Sequence, residues 1–160
     1  MIAWRAICLI DFFKYNWTVR DEWFTWCKQL TPEQLLMTRT GGIGNILHTL
    51  FHIVEVEYSW NRAIQEKEDS VLQFDDYHTL EKVKQLSYSC RNEITGFLQS
   101  DLTKLENETV IAAWDNTELS KVDILHHVII HEIHHIGQLS IWARELNLEP
   151  VSASFINRTL

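Results

Sequence analysis

The stretch HVIIHEIHHIGQLSIWARELNLEP, His127 to Pro150, decides how this chain is read. Four residues along an α-helix turn about 40° past a full circle. His127, His131 and His135, with His134 and Gln138 beside them, therefore fall within one arc. The apolar residues of the same segment, Leu125, Val128, Ile136, Leu139, Ala143 and Leu146, form an arc immediately to one side. The histidine stripe thus lies at the edge of a core rather than opposite it. Imidazoles crowded there need hydrogen-bond partners and repel one another once protonated. A bound cation answers both demands, taking one nitrogen of each neutral ring while the other ring N–H is held by an acceptor.

A second segment, NILHTLFHIVEVEYSW (Asn45 to Trp60), supplies a complement. His48 and His52 are again four apart, with Glu55 and Ser59 on about the same face. A lone histidine is more often a satisfied core or surface residue than a ligand, and His126, off the arc, and His78, in a loop, are read that way. Two matched pairs on two apolar helices reverse that expectation. Spacing alone leaves His48 and His52 as competing partners for His131 and His135.

The string His131-Glu132-Ile133-His134-His135 also satisfies the H-E-x-x-H pattern of zinc metalloproteases. The longer form of that pattern fails, because Gln138 stands at its glycine position and Ile141 at its final histidine position. Glu145 lies about 15 Å further along the same helix, too far to reach the same ion. A third ligand must come from another helix. Glu132 points about 100° away from His131, toward the apolar arc. These features, and the lack of strands, make the protease a minor alternative.

Few glycines and prolines and no sustained two-residue alternation predict a mostly helical chain. The first helix is expected from near Ile2 to near Leu30, with Ala6, Ile10, Phe13, Trp17, Phe24 and Cys27 along one side. Thr31 caps a short turn with Pro32 in first position, and Gly41 to Gly44 form a flexible connection. Asn45 caps a second helix running toward Lys67, and a third spans about Thr79 to Ser100 on Leu80, Val83, Leu86, Cys90, Ile94, Phe97 and Leu98. Asp69 to His78 and Asp101 to Leu119 read as irregular connections. Ser120 and Asp123 open a fourth helix that reaches about Leu146, where Asn147 closes it ahead of Pro150. Four such helices in 160 residues make an all-α, single-domain bundle over residues 1–160.

A formal charge of -8 with scattered acids and no basic block argues against nonspecific nucleic-acid or anionic-membrane binding. Cys8, Cys27 and Cys90 are odd in number and lack C-x-x-C spacing, so they read as free core thiols of a reducing compartment. The N-terminal apolar run is broken by Arg5 and Asp11, which is unlike a signal peptide, and no run reaches membrane-spanning length. A cytoplasmic protein is expected.

The segments from His127 to Pro150 and Asn45 to Trp60, with FFKYNWTVRDEWFTWCKQLTPEQL (Phe12 to Leu35), resemble the DinB/YfiT-like family of metal-binding four-helix bundles. The resemblance covers most of the chain and leaves only Asp69 to Leu119 nondescript. It implies a bundle with a long crossover connection, and it makes His52, followed by Glu57 and Trp60, the first metal ligand, His131 the second and His135 the third. His48 matches a position that is not a ligand in the family. Ile136 stands where the family usually has Arg, which leaves the ligands intact and puts that arginine's role in question.

The resemblance further implies zinc, nickel or a similar divalent ion, a homodimer, and in several relatives a low-molecular-weight thiol cofactor. Three neutral histidines leave an ion its full charge and an open position, as in catalytic sites. The expected function is therefore a metal-dependent enzyme, transferase-like or hydrolase-like, that activates a thiol or water against a small-molecule substrate. The alternative is a metal-fastened interaction module without turnover. His48, His127, His134, Gln138 and Trp142 are left as outer groups that support the ligands or touch substrate. No catalytic side chain is assigned.

Overall fold

The computed structural model describes the backbone of residues 2–100, 102–112, 114 and 116–160, with side chains from residue 9 onward in those ranges. Four long helices carry the fold: α1 (Ile2–Trp26), α3 (Ile46–Ile64), α4 (Leu80–Leu98) and α5 (Lys121–Glu145). A short α2 (Pro32–Leu36) and a hairpin of β1 (Thr109–Ile111) and β2 (Glu118–Ser120) complete it. The all-α bundle is as expected, with α3 packed most extensively on α5.

The helix boundaries follow local chemistry. α1 stops a turn short of Leu30 because Cys27–Gln29 tighten into a 3-10 turn and Leu30 becomes extended (φ -96°, ψ 149°). That extended residue leads into Thr31, whose side chain exchanges hydrogen bonds with Gln34 in a reciprocal capping box, with Pro32 at the helix start. Asn45 caps α3 by accepting the His48 N–H at 2.8 Å. α3 ends before the expected Lys67 because Glu66 turns left-handed (φ 56°). Its N–H reaches Ala63 O while the N–H of Lys67 reaches Arg62 O, the paired closure of a Schellman motif. Asn147 (φ 58°) closes α5 in the same way, its N–H on Arg144 O and that of Leu148 on Ala143 O.

The expected irregular connection after α4 holds more order than anticipated. Leu102–Asn107 form a 3-10 helix, and β1 pairs antiparallel with β2 in the register Val110 to Leu119. Strands of three residues are too short to show the alternation by which strands are read from sequence. Phe74–Asp76, expected as loop, make one 3-10 turn.

Two apolar clusters fill the bundle. One holds Trp23, Phe24, Leu50, Ile53, Leu139 and Trp142, the other Phe13, Val54, Ile94, Leu125 and Val128. Phe13, Trp17, Phe24 and Cys27 are buried as the α1 pattern predicts, and Ile10 is partly buried. The side chains of Ala6 and Cys8 lie outside the described residues.

On α4 and α5 a polar residue, Ser87 and Glu132, falls between the stretches that feed the two clusters. There Arg20, fully buried, donates from Nε and Nη2 to the two oxygens of Glu132 (2.8 and 2.5 Å) and from Nη1 to Glu57 (2.8 Å) and Ser87 (3.2 Å). Trp17 Nε1 donates to the other Glu57 oxygen at 2.7 Å. α1, α3, α4 and α5 are thereby tied at one level. Burial opposes the charge of Arg20, but Glu132 and Glu57 outweigh it and raise its pKa. Burial pushes the Glu132 carboxyl upward against the pull of Arg20.

Candidate metal centre

α3 and α5 bring His52, His131 and His135 together, with one ring nitrogen of each lying within 4.8 Å of the others. His131 Nε2 is 3.2 Å from His52 Nε2 and 3.1 Å from His135 Nε2. Two imidazoles bound to one tetrahedral zinc at its usual bond length have nitrogens about 3.3 Å apart, so these spacings suit a shared divalent ion.

The outer nitrogens fix the tautomers. His52 Nδ1 lies 3.3 Å from Glu55 Oε2 and His135 Nδ1 lies 2.8 Å from Gln138 Oε1. Both oxygens are acceptors, so each Nδ1 carries the proton and each Nε2 turns a bare lone pair inward. His131 Nε2 faces both lone pairs and has at most one proton to offer, so at least one pair of nitrogens is left in lone-pair repulsion. A cation at the centre removes that conflict. Burial, then the neighbouring His135 and His52, push the His131 pKa down to about 3. Burial also lowers the His135 pKa, against the hydrogen bond that its Nδ1–H donates to Gln138. Both rings are therefore neutral and competent as ligands at pH 7.

The remaining expected residues separate. His48 stacks on Phe74 (4.1 Å between centroids, 5° between planes) and takes no part in the cluster. His134 Nε2 receives the Gln138 amide N–H at 2.9 Å, so Gln138 bridges His134 and His135. His127 is exposed, its ring 5.8 Å from His131. Trp142, expected near the stripe, is buried in the core, its Nε1 donating to Thr40 O at 3.2 Å. His78 pairs with Asp75 in the loop, and His126 is exposed on α5.

The geometry does not serve the metalloprotease alternative. Both oxygens of Glu132 are held by Arg20 in the bundle interior, so the residue that would be the general base is a structural anchor. Ile136, at the position where a family arginine was expected, is buried in the core and packs there as an apolar residue.

Sequence reasoning placed Glu55 on the right face without giving it a role. Its signal is periodic: an acceptor stands three residues after each of two cluster histidines, Glu55 after His52 and Gln138 after His135. For Gly42 the sequence implies only a flexible connection. It sits at φ +58°, and a Cβ there would meet Gln138 Oε1 at 2.6 Å and Trp142 at 2.9 Å. Only glycine lets the turn settle on the Gln138 amide.

The arrangement, an all-α bundle with three convergent imidazoles between two of its helices, is that of a four-helix-bundle protein with a candidate metal centre. The chain belongs to the DinB family, whose profile matches residues 6–158. It is 61% identical over 153 residues to the uncharacterized protein YizA of Bacillus subtilis (strain 168), spanning 95% of this chain and 96% of that protein. Among the described residues no helix is long and apolar enough to cross a membrane.

Proposed function

We propose that this protein is a divalent-metal-dependent enzyme, with His52, His131 and His135 as the ligands of a zinc or nickel ion. The observation that carries the reading is the convergence of three imidazoles, with His131 Nε2 3.2 Å from that of His52 and 3.1 Å from that of His135, and with the Nδ1 of His52 and His135 already committed to an acceptor. When bound, such an ion supplies an acidified water or low-molecular-weight thiol as nucleophile. Glu55 and Gln138 hold the rings in the ligating tautomer, and His134 fixes the Gln138 amide from its far side. His127 stands at the mouth, within reach of a small-molecule substrate.

The open mouth favours an enzyme over a metal-fastened interaction module. The His52 and Glu55 side chains are 25% and 34% exposed, and His134 and His127 are exposed, so a ligand entering from solvent has access. A purely structural site is closed by protein ligands. The reading extends to a cytoplasmic homodimer. Its candidate surface is the outer face of α5, where Ile130, Ile133 and Ile141 are exposed around Gly137. A glycine in that stripe lets two antiparallel copies approach closely.

Elemental analysis of untagged protein purified without chelator, beside His52→Ala, His131→Ala and His135→Ala, tests the site. About one divalent ion per chain, lost in all three variants, is the expected result and opens a screen for thiol transfer and hydrolysis. Wild type that stays metal-free after incubation with zinc and nickel overturns the proposal. Metal retained without an exchangeable coordination position would leave the interaction module.

A further inference from the structure

We propose, on the reading that the three histidines hold a divalent ion, that the ring surface beyond His131, made of His127, Trp60 and Trp114, is a subsite for a flat aromatic group of the substrate that carries no negative charge. The rings form a continuous series leading away from the cluster. His127 is 5.8 Å from His131, Trp60 is 5.9 Å from His127 with planes at 74°, and Trp114 is 4.8 Å from Trp60 with planes at 73°.

Their placement follows from the fold. His52 and Trp60 lie two turns apart on α3, and His127 lies one turn before His131 on α5. Trp114 stands on the connection between β1 and β2 and closes the series from outside the bundle. Trp60 only partly packs against the core, and Trp114 is 47% exposed. Two indoles and an imidazole presented together are the kind of surface on which planar groups bind edge to face or offset.

Trp114 also lines a cavity of about 210 Å³, together with Ala63, Val110 and Ile111. The charges on its rim are acidic or committed: Glu66 pairs with Lys121 at 2.8 Å and Lys67 with Glu93 at 2.7 Å, while Asp69 adds another carboxylate. No uncommitted cation among those lining residues would receive a carboxylate or phosphate. The chemistry therefore disfavours an anionic group, and the exposed indoles favour a flat aromatic one, carried a few bonds from the atom that meets the metal.

Isothermal titration of the zinc-loaded protein with acetohydroxamate and with phenylbutanohydroxamate separates head from tail. Both present the same metal-binding head, and only the second carries a ring on a spacer able to lie along His127 and Trp60. The phenyl compound is expected to bind about tenfold tighter or more. Trp60→Ala and Trp114→Ala should remove most of that gain while acetohydroxamate binds as before, and Trp114→Phe should retain it. An equal gain in wild type and both alanine variants, or no gain in wild type, overturns the subsite and leaves the metal centre standing. Failure of both compounds to bind wild type that carries its zinc overturns the enzyme reading and the subsite with it, because the ion then offers no open position, whereas wild type that takes up no zinc overturns the metal reading itself.

Discussion

Gln138 accepts the Nδ1 proton of His135 at 2.8 Å and is itself packed beneath the left-handed turn at Gly42. The cluster is therefore held from outside by a contact that bridges the sequence from residue 42 to residue 138.

If that contact orients a metal ligand, Gln138→Leu should weaken zinc binding about 10- to 100-fold, the usual cost of losing an outer hydrogen bond to a ligating histidine. Gly42→Ala should act in the same direction, because its Cβ meets the Gln138 amide and the backbone is strained at φ +58°. Competition titration against a chromogenic chelator reads both. Affinities equal to wild type would mean that neither residue supports the ring.

Acid should destabilise the metal-free protein through His131 and His135. An unfolded histidine takes up its proton near pH 6.5, whereas folded His131 holds it off until about 3, and folded His135 is shifted the same way. Between those values the unfolded state binds more protons, so stability present above pH 6.5 is lost as pH falls toward 3. Urea midpoints of the metal-free protein should fall from pH 7 to pH 5, and His131→Ala should flatten that fall. An unchanged slope in the variant would remove His131 as its source.

Arg20→Met should be among the most damaging single changes in the chain. It leaves the carboxylates of Glu57 and Glu132 buried with no guanidinium between them, a loss of about 3–5 kcal/mol. Equilibrium denaturation measures this directly. A loss under about 1 kcal/mol would show that the network is hydrated rather than dry.

The nucleophile is not expected to be a core cysteine. Burial pushes the Cys27 thiol up to about 12, and burial with the nearby Glu57 charge does the same for Cys90. The thiolate, which is the reactive form, is then nearly absent at neutral pH. Peptide-resolved iodoacetamide labelling at pH 8 should leave both residues unmodified in the native protein and label both in denaturant. Fast native labelling of either would reopen the question.

The bundle was legible from an apolar period near 3.6, clearest in α3 and α4, and from helix ends: Thr31 with Pro32, Asn45, Thr79, Ser120 and Asn147 all act where local chemistry places them. The histidine stripe was legible for the same reason, since spacing along one helix determines which side chains share a face. Hairpin strands of three residues lie below the length at which period two can be seen.

What the linear chain determined by itself was helix, face and the histidine pair on α5. Only tertiary structure could decide the partners across helices. Spacing left His48 level with His52; the resemblance favoured His52, and in the fold the rotation of α3 against α5 brings His52 to His131 and sends His48 to Phe74. The same packing gives Glu132 to Arg20, turns Gly42 onto Gln138, and lines Trp60 and Trp114 up with His127. A helical period records the angle at which a side chain leaves its own axis. It carries no information about which side chain of another helix will stand opposite, because that is settled by how four helices fill one core.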